Sequence, residues 1–249
     1  MARTLKSAAA AFPNSSVTAL LGVIGVEDDN ATIKEFVNGW TSGSGLTLGA
    51  GIGVSSGTWN SNDAPYLSFV SGMTGYITIG SPISWANANA SALVAVSYSA
   101  QTDNQCRLMA NPLGAASGVA RANTAGAYRG GYLGTYGTTS VPGDGTKVVF
   151  GGSKINTPSE HKVYYGVEGG SIALETSVAY TPGSSGTWSG VNVSVGYSTN
   201  PGHLYLAILV TGILHIADIQ SFLDDPYGTV FEGASSQSPV PIILQMHGA

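Results

Sequence analysis

The segment from Gly202 to Phe231, GHLYLAILVTGILHIADIQSFLDDPYGTVF, constrains the fold more than any other part of this chain. Its first part, Leu204 to Val210, is apolar without alternation, which predicts a strand covered on both faces. Gly212 is expected to break that run. From Ile216 onward the apolar residues recur three and four positions apart, the spacing of one helix face. Pro226 is expected to stop the helix, because proline lacks an amide proton.

Composition extends the β prediction to the rest of the chain. Charged residues make up only 9% of the sequence, against roughly 25% in ordinary globular proteins. Glycine-rich turns between short β-branched and aromatic runs predict an all-β sandwich or jelly roll, and the 249 residues suit one large domain. A hydrophobic content of 43% argues against disorder. The net charge is −5 without clustered Lys or Arg, so we expect no nucleic-acid partner.

Local patterns predict two well-defined strands and two hairpins. The strands are Val17 to Val26 and Leu93 to Ser99. Glycine-containing loops join the arms of each hairpin. The hairpins are Tyr66 to Val70 with Tyr76 to Ile79, and His161 to Val167 with Ser171 to Thr176.

The two ends of the chain are interpreted as extensions of a single domain. The start, MARTLKSAAAAF, resembles a signal peptide, but its apolar part is short and Pro13 follows, so we expect no secretion by this route. Residues 1–16 are predicted to form an irregular arm, residues 17–232 the domain and residues 233–249 a tail. The apolar run at 17–26 is too short to cross a bilayer, so no membrane partner is expected.

Four segments together resemble the concanavalin A-like, laminin-G-like jelly rolls, most closely those in structural proteins of tailed bacteriophages. They are Lys34 to Trp40, Tyr66 to Ile79, His161 to Leu174, and Gly202 to Phe231. The resemblance spans about residues 17–232. It implies a sandwich of two antiparallel sheets with one short C-terminal helix. In that family a serine or threonine caps the helix and an acid three residues later completes a capping box; His215 and Asp218 hold those positions here.

No catalytic constellation is visible in the sequence. Glucanases that share this fold carry their acids as E-x-D-x-x-E on one strand, whereas the six glutamates here are dispersed. The four histidines lack metal-ligand spacing, Cys106 has no partner for a disulfide, and no G-x-S-x-G elbow occurs. We therefore assign no catalytic residues and expect a protein that is not an enzyme.

Calcium is a second site type that the resemblance raises, because laminin-G-like domains often hold this ion at the rim of their sheets. Calcium requires several hard oxygen ligands. The candidate ligands are Asp28, Asp29 and Asp63, in the acidic turn at 27–30 and the Asn-rich turn at 60–63. Acids and asparagines also populate turns for backbone reasons, and we favour that explanation over a calcium cofactor.

Aromatic residues in loops are candidates for stacking on sugars. Those expected to be exposed are Trp59, Tyr128, Tyr132, Tyr136 and Trp188. Aromatic side chains are also the commonest large core residues, so burial is the alternative for each.

The resulting functional hypothesis is a structural protein of a tailed-phage virion, at the particle surface as head decoration, tail or fibre component. Its partners would be copies of itself and other virion proteins. An apolar tail is costly to expose, so we expect it to lie against a neighbouring subunit by strand addition. Its assembly residues are Pro239, Val240, Ile242, Ile243 and Leu244. The alternatives are a carbohydrate-binding module that recognises a host-surface glycan and a polysaccharide depolymerase.

Overall fold

A computed structural model describes eleven stretches of the chain: residues 3–27, 32–49, 51–69, 76–84, 89–98, 120–122, 128–132, 135–136, 145–179, 187–192 and 202–233. They contain three short helices, α1 (Ala8–Ala11), α2 (Ile216–Asp224) and α3 (Pro226–Val230). The strands are β1 (Thr4–Leu5), β2 (Ser16–Val26), β3 (Ile33–Glu35), β4 (Trp40–Ser42), β5 (Gly45–Leu48), β6 (Ile52–Ser55), β7 (Thr58–Trp59), β8 (Asn62–Asp63), β9 (Tyr66–Phe69), β10 (Tyr76–Ser84), β11 (Ala90–Tyr98), β12 (Ala120–Ala122), β13 (Tyr128–Tyr132), β14 (Thr135–Tyr136), β15 (Lys147–Asn156), β16 (Ser159–Val167), β17 (Ala173–Ala179), β18 (Thr187–Asn192), β19 (Gly202–Ile213) and β20 (Phe231–Glu232).

One sheet of 13 strands dominates the fold. Its order is β17-β16-β15-β11-β19-β2-β3-β4-β5-β10-β18, and β6 and β9 join it beside β19. Neighbouring strands are antiparallel except for the β4–β5 pair. Smaller sheets form from β1 with β20, from β7 with β8, and from β12 to β14. The fold is therefore all-β, as predicted, with helices confined to short segments.

The central strand β19 confirms the first sequence prediction. It lies between β11 and β2, and its residues Leu204 to Val210 are buried. Gly212 does not end the strand, contrary to expectation. It adopts φ +122° within β19, at a shift in register with β2. Only glycine fits there, because the backbone of Ser16 leaves no room for a side chain.

One predicted hairpin is confirmed and the other is wrong. β16 pairs with β17 from Glu160–Ala179 to Tyr165–Ala173, joined by a Gly-containing turn at 168–170. The arms of the other hairpin separate instead: β9 pairs with β6 and β19, whereas β10 pairs with β5 and β18. β9 pairs with the long central strand β19, and Leu67 is thereby buried in the core. Local hairpin patterns carry no information about this distant pairing.

Apolar side chains cover both faces of the central strands. The helix-side cluster includes Trp59, Tyr205, Phe222 and Tyr227, which lie under α2, α3 and the β7–β8 turn. The far-side cluster includes Phe150 and Leu209 together with residues of β5, β9 and β10. Burial on two faces explains why β19 lacks the alternation typical of a half-exposed strand.

The helix prediction holds with one addition. α2 buries Ile219, Phe222 and Leu223 as their spacing predicts, and it ends at Asp224. Pro226 then begins α3, because proline is well accommodated at the first position of a helix. The Asp225 side chain caps α3 by accepting a hydrogen bond from the Gly228 amide at 2.8 Å. None of the helices in the described residues has the length and apolarity needed to span a membrane.

Residues 3–16 differ from the irregular arm that was predicted. β1 pairs with β20, α1 forms a helical turn capped by Ser7, and Phe12 is fully buried. The Lys6 amide donates to the Val230 carbonyl at 2.9 Å. This N-terminal segment therefore forms part of the cover over the helix-side cluster. The described residues end at Gly233, so the predicted tail and its assembly residues 239–244 lie outside them.

Candidate functional site

Trp59, predicted as an exposed sugar-stacking residue, is instead fully buried. Its indole nitrogen donates to the Leu223 carbonyl at 2.5 Å, and its ring meets Tyr205 edge to face at 5.0 Å between centroids. The short β7–β8 hairpin folds onto α2 and buries the ring because the hydrogen bond to Leu223 satisfies its polar edge. The sugar-stacking prediction is wrong for this residue.

The other predicted binding residues are only partly placed. The backbones of Tyr128, Tyr132, Tyr136 and Trp188 lie in β13, β14 and β18, and their side chains lie outside the described part. Asp28 and Asp29 also lie outside it.

Asp63 is exposed at the end of the β7–β8 hairpin, beside a turn with positive φ at Asn60 and Ser61. Residues of this type occupy such turns for backbone reasons. Within the described ranges, no three His, Cys, Asp or Glu side chains come together in a way that could hold a metal ion.

Ser97 and His203 form the nearest approach to a catalytic pair. The Ser97 hydroxyl lies 3.3 Å from His203 Nδ1, and the Tyr66 ring stacks on the imidazole at 4.3 Å between centroids. Burial lowers the pKa of His203, so the ring is neutral at pH 7. A Ser–His pair also needs an orienting group and an accessible hydroxyl. Ser97 is buried, and no described carboxylate bonds to His203.

Lys154 and His161 form a buried pair of basic groups on the far side of the sheet. They lie opposite each other on β15 and β16. Burial lowers the pKa of both side chains, and the charge of Lys154 lowers the pKa of His161 further. His161 is consequently neutral at pH 7, which links the stability of this part of the fold to pH.

A cleft of about 350 Å³ lies between the β16–β17 hairpin and the start of α2. Lys162 and Tyr164 from β16 and Leu174 from β17 form one side, and Ile213 to Ile216 form the other. Burial is the main cause that raises the pKa of Tyr164, and the charge of Glu160 adds to it. The cleft therefore combines an apolar lining with polar groups at its rim.

A chain of hydrogen bonds at the start of α2 forms the polar end of this cleft. The Ser15 hydroxyl accepts a hydrogen bond from the His215 amide at 2.8 Å and donates to the buried Asp218 carboxylate. Asp218 also accepts from the Asn14 amide at 3.0 Å and from Asn14 Nδ2 at 2.7 Å. His215 caps the helix as the resemblance implied, since its Nδ1 accepts from the Ala217 amide at 3.2 Å. The Asp218 carboxylate does not accept directly from the His215 amide, because that amide donates to the Ser15 hydroxyl instead.

Three large apolar side chains at or near β17 are exposed. The exposed fraction is 47% for Leu174, 46% for Val178 and 43% for Ile216. Leu174 lies opposite Tyr164 and Val178 opposite His161, so they occupy opposite faces of β17. Since β17 ends the order of the main sheet, its outer edge has no strand partner among the described residues. We call β17 together with Ile216 the apolar edge.

A second, more open cleft of about 620 Å³ lies between β3, β4, β5 and β6. Its lining includes the hydroxyl residues Thr32, Thr41 and Ser42 and the aliphatic residues Ile52 and Val54. A mixture of hydroxyl groups and aliphatic surface can bind a small polar ligand such as a sugar. The sequence does not single out these residues, because short Ser and Thr side chains carry no specific binding signal.

No protein-family model and no curated protein sequence matches this chain. Solved structures do share its fold. The binding domain of Paraclostridial Mosquitocidal Protein 1 is 10% identical with a TM-score of 0.54, over 82% of this chain and 51% of that one. An arabinofuranosidase complexed with arabinofuranosyl-alpha-1,2-xylobiose is 12% identical with a TM-score of 0.55, over 94% and 63%. Trypanosoma rangeli sialidase in complex with sialic acid is 13% identical with a TM-score of 0.50, over 82% and 32%.

These comparisons support a β-sandwich for this chain. The chain spans less than two thirds of each of those proteins, and the low identities show the fold alone. The same fold therefore occurs in glycosidases and in a toxin binding domain, and function depends on the sites that each chain carries on it.

Proposed function

We propose that this chain is a structural protein of a tailed-phage virion that acts through contacts with copies of itself and with other virion proteins. Its fold is proposed to be a laminin-G-like jelly roll of two antiparallel sheets, and no enzymatic activity is proposed. The resemblance of the four sequence segments supplies the class of protein. The observation that supports assembly is the apolar edge, where Leu174 and Ile216 are exposed at the cleft and Val178 is exposed on the other face of β17.

Exposed sheet edges are a liability that proteins normally reduce. Lysine, proline or bulges on an edge strand prevent unwanted pairing with other chains. β17 carries neither lysine nor proline, but it has one charged residue, Glu175, at a register shift against β16. Leu174 and Val178 nevertheless leave apolar surface exposed at this edge, which is typical of a surface that is covered in the assembled state.

The buried carboxylates support a structural role. Glu35 accepts hydrogen bonds from the Val23, Val37 and Asn38 amides and from Asn38 Nδ2, at 2.8 to 3.0 Å. Asp218 binds Asn14 and Ser15. Both acids are thus used to hold turns and segments together, which leaves neither in the position of a catalytic acid.

Mass spectrometry of purified particles tests the proposal. Virions made in the host that carries this gene should contain the chain at a fixed copy number relative to the major capsid protein. Removal of the gene should give particles that lack one structural feature by electron microscopy. Complete, infectious virions from which the chain is absent would refute a structural role.

Binding of a host-surface glycan is a second candidate, supported by the open cleft lined by Thr41, Ser42 and Ile52. A glycan array should then give a signal that Thr41→Val with Ser42→Ala abolishes and that Leu174→Ala, at the apolar edge, leaves unchanged. An array without signal at high protein concentration would refute this candidate. Release of reducing ends from a polysaccharide that binds would instead indicate a depolymerase.

A further inference from the structure

We infer that the outer edge of β17 accepts the apolar tail segment, Pro239 to Leu244, of a second copy of this chain. This inference rests on the proposed assembly function and names the partner surface for it. The two parts come from one chain, so each copy supplies one donor segment and one acceptor edge.

The acceptor has the properties that strand addition requires. β17 is seven residues long and bonds through one edge to β16, with one register shift at Glu175, and its other edge has no strand partner among the described residues. Added strands gain main-chain hydrogen bonds along such an edge and specificity from pockets for alternate side chains. The cleft between Leu174 and Ile216 provides a pocket on one face, and Val178 provides apolar surface on the other.

The donor segment, PVPIIL, has the pattern of a strand that pairs on one side only. Alternate residues of a strand direct their amides to the same side, and prolines in sheets occur where that side faces solvent. Pro239 and Pro241 therefore block one side. Val240, Ile242 and Leu244 present their amides to the other side and place their side chains on one face. The added strand would end the sheet rather than extend it.

The distances favour an exchange between copies over pairing within one copy. The tail leaves the described structure at Gly233, next to Phe231, whose ring lies 4.6 Å from that of Phe36 just after β3. From β3 to β17 the sheet order contains six strand-to-strand steps, a distance of roughly 29 Å at about 4.8 Å per step. The six residue-to-residue steps from Gly233 to Pro239 span at most about 21 Å when fully extended. By this estimate, Pro239 does not reach the β17 of its own copy.

Exchange between copies has two geometries. Reciprocal exchange closes a symmetric dimer, and one-way exchange gives a ring or a filament. Both place Leu174 of one copy next to the tail of another, so the same experiment tests both.

Light scattering on the full-length chain gives the first test. The natural chain should assemble, and Leu174→Asp and Ile242→Asp should each weaken assembly by at least about tenfold in concentration, since a charge is placed in an apolar contact. Val37→Asp is the matched control. Val37 is also an exposed apolar residue, at 38%, but it lies just after β3, far from β17 in the strand order of the sheet. Thermal melting should show that all three variants remain folded.

Hydrogen exchange sharpens this test. Amides in β17 should be protected in the natural assembly and should exchange faster in Ile242→Asp. Assembly that survives Ile242→Asp, or protection of β17 that does not change with it, would overturn the inference.

Cysteine pairing between two tagged chains identifies the partner. In a Cys106→Ser background, one chain carries Leu174→Cys and the other carries cysteine at Val240, Ile242 or Leu244 in turn. At least one mixture should form a disulfide between chains, because the bond requires Cα atoms about 4.4–6.8 Å apart. A disulfide within single chains that carry both cysteines, or cross-linking no stronger than with Val37→Cys as acceptor, would contradict exchange.

The two proposals fail separately. Disulfides between chains, with the chain absent from virions, would refute the virion role and retain tail exchange. Presence of the chain in virions without cross-linking would support the virion role and refute tail exchange.

Discussion

Two regions of the main sheet, the one around β2 and β3 and the end strand β17, are covered to different extents. Near β2 and β3, contacts within the chain bury the side chains: the Phe36 ring lies 4.6 Å from the Phe231 ring of β20, and the Arg3 guanidinium lies 4.3 Å from the centre of the Tyr227 ring of α3. At β17, most side chains are exposed, and no described strand lies beyond it in the sheet order. The region around β2 is therefore stabilised by contacts within the chain, whereas apolar side chains of β17 remain exposed.

This difference predicts that substitutions on the two sides will affect different properties. Changes beneath the helices and the N-terminal segment should lower the free energy of unfolding. Changes at β17 should affect assembly and leave unfolding almost unaltered.

Trp59→Ala should lower the free energy of unfolding by about 3–5 kcal/mol, because it opens a cavity beneath α2 and removes the hydrogen bond to Leu223. Urea denaturation measures this change. The variant should lose affinity for every partner in proportion to unfolding. Selective loss of glycan binding in a protein of unchanged stability would contradict the buried position.

Asp218→Ala should lower the free energy of unfolding by about 1.5–3 kcal/mol, because the donors of Asn14 and Ser15 lose the buried charged acceptor that holds them. Limited proteolysis should also cut within residues 3–15 more readily. Asp224→Ala, on the exposed side of the same helix, is the control and should change stability by less than about 0.5 kcal/mol. Equal effects of the two substitutions would show that Asp218 does not anchor the N-terminal segment.

Stability should fall as pH decreases from 7 toward 5.5. Burial lowers the pKa values of His161 and His203 below the ordinary histidine value of 6.5, so the unfolded chain binds more protons than the folded one in this range. Melting temperatures of the natural chain and of the double variant His161→Gln/His203→Gln should therefore converge at low pH. A difference between the two proteins that is independent of pH would refute the shifts.

Leu174→Ala should change the free energy of unfolding by less than about 0.5 kcal/mol, because half of the side chain is already in solvent. It should nevertheless weaken assembly measured by light scattering. Val37→Ala is expected to have the same small effect on unfolding and none on assembly. Strong destabilisation by Leu174→Ala would mean that β17 belongs to the core, and the contrast between the two regions would disappear.

The features that sequence predicted correctly depend on neighbours along the chain. The β16–β17 hairpin follows from two β-rich runs around a Gly-containing turn, and α2 follows from the spacing of Ile219, Phe222 and Leu223. The candidate binding residues depend on distant partners instead. Trp59 was assigned to an exposed loop because its neighbours are Asn, Ser and Gly, and nothing near it in the sequence indicates that Leu223 accepts its indole hydrogen bond.

Local patterns suffice to predict that this protein is all-β, that β19 is covered on both faces and that a short helix follows it. Each of these follows from the period and composition of residues close together in the chain. Contacts between distant residues, in contrast, set the pairing of β9 with β19, the position of residues 3–16 over the core, and the position of the apolar edge beside the cleft at α2. Those outcomes depend on which distant surfaces bury the most apolar area and satisfy the most hydrogen bonds. Local periodicity contains no information about such distant surfaces.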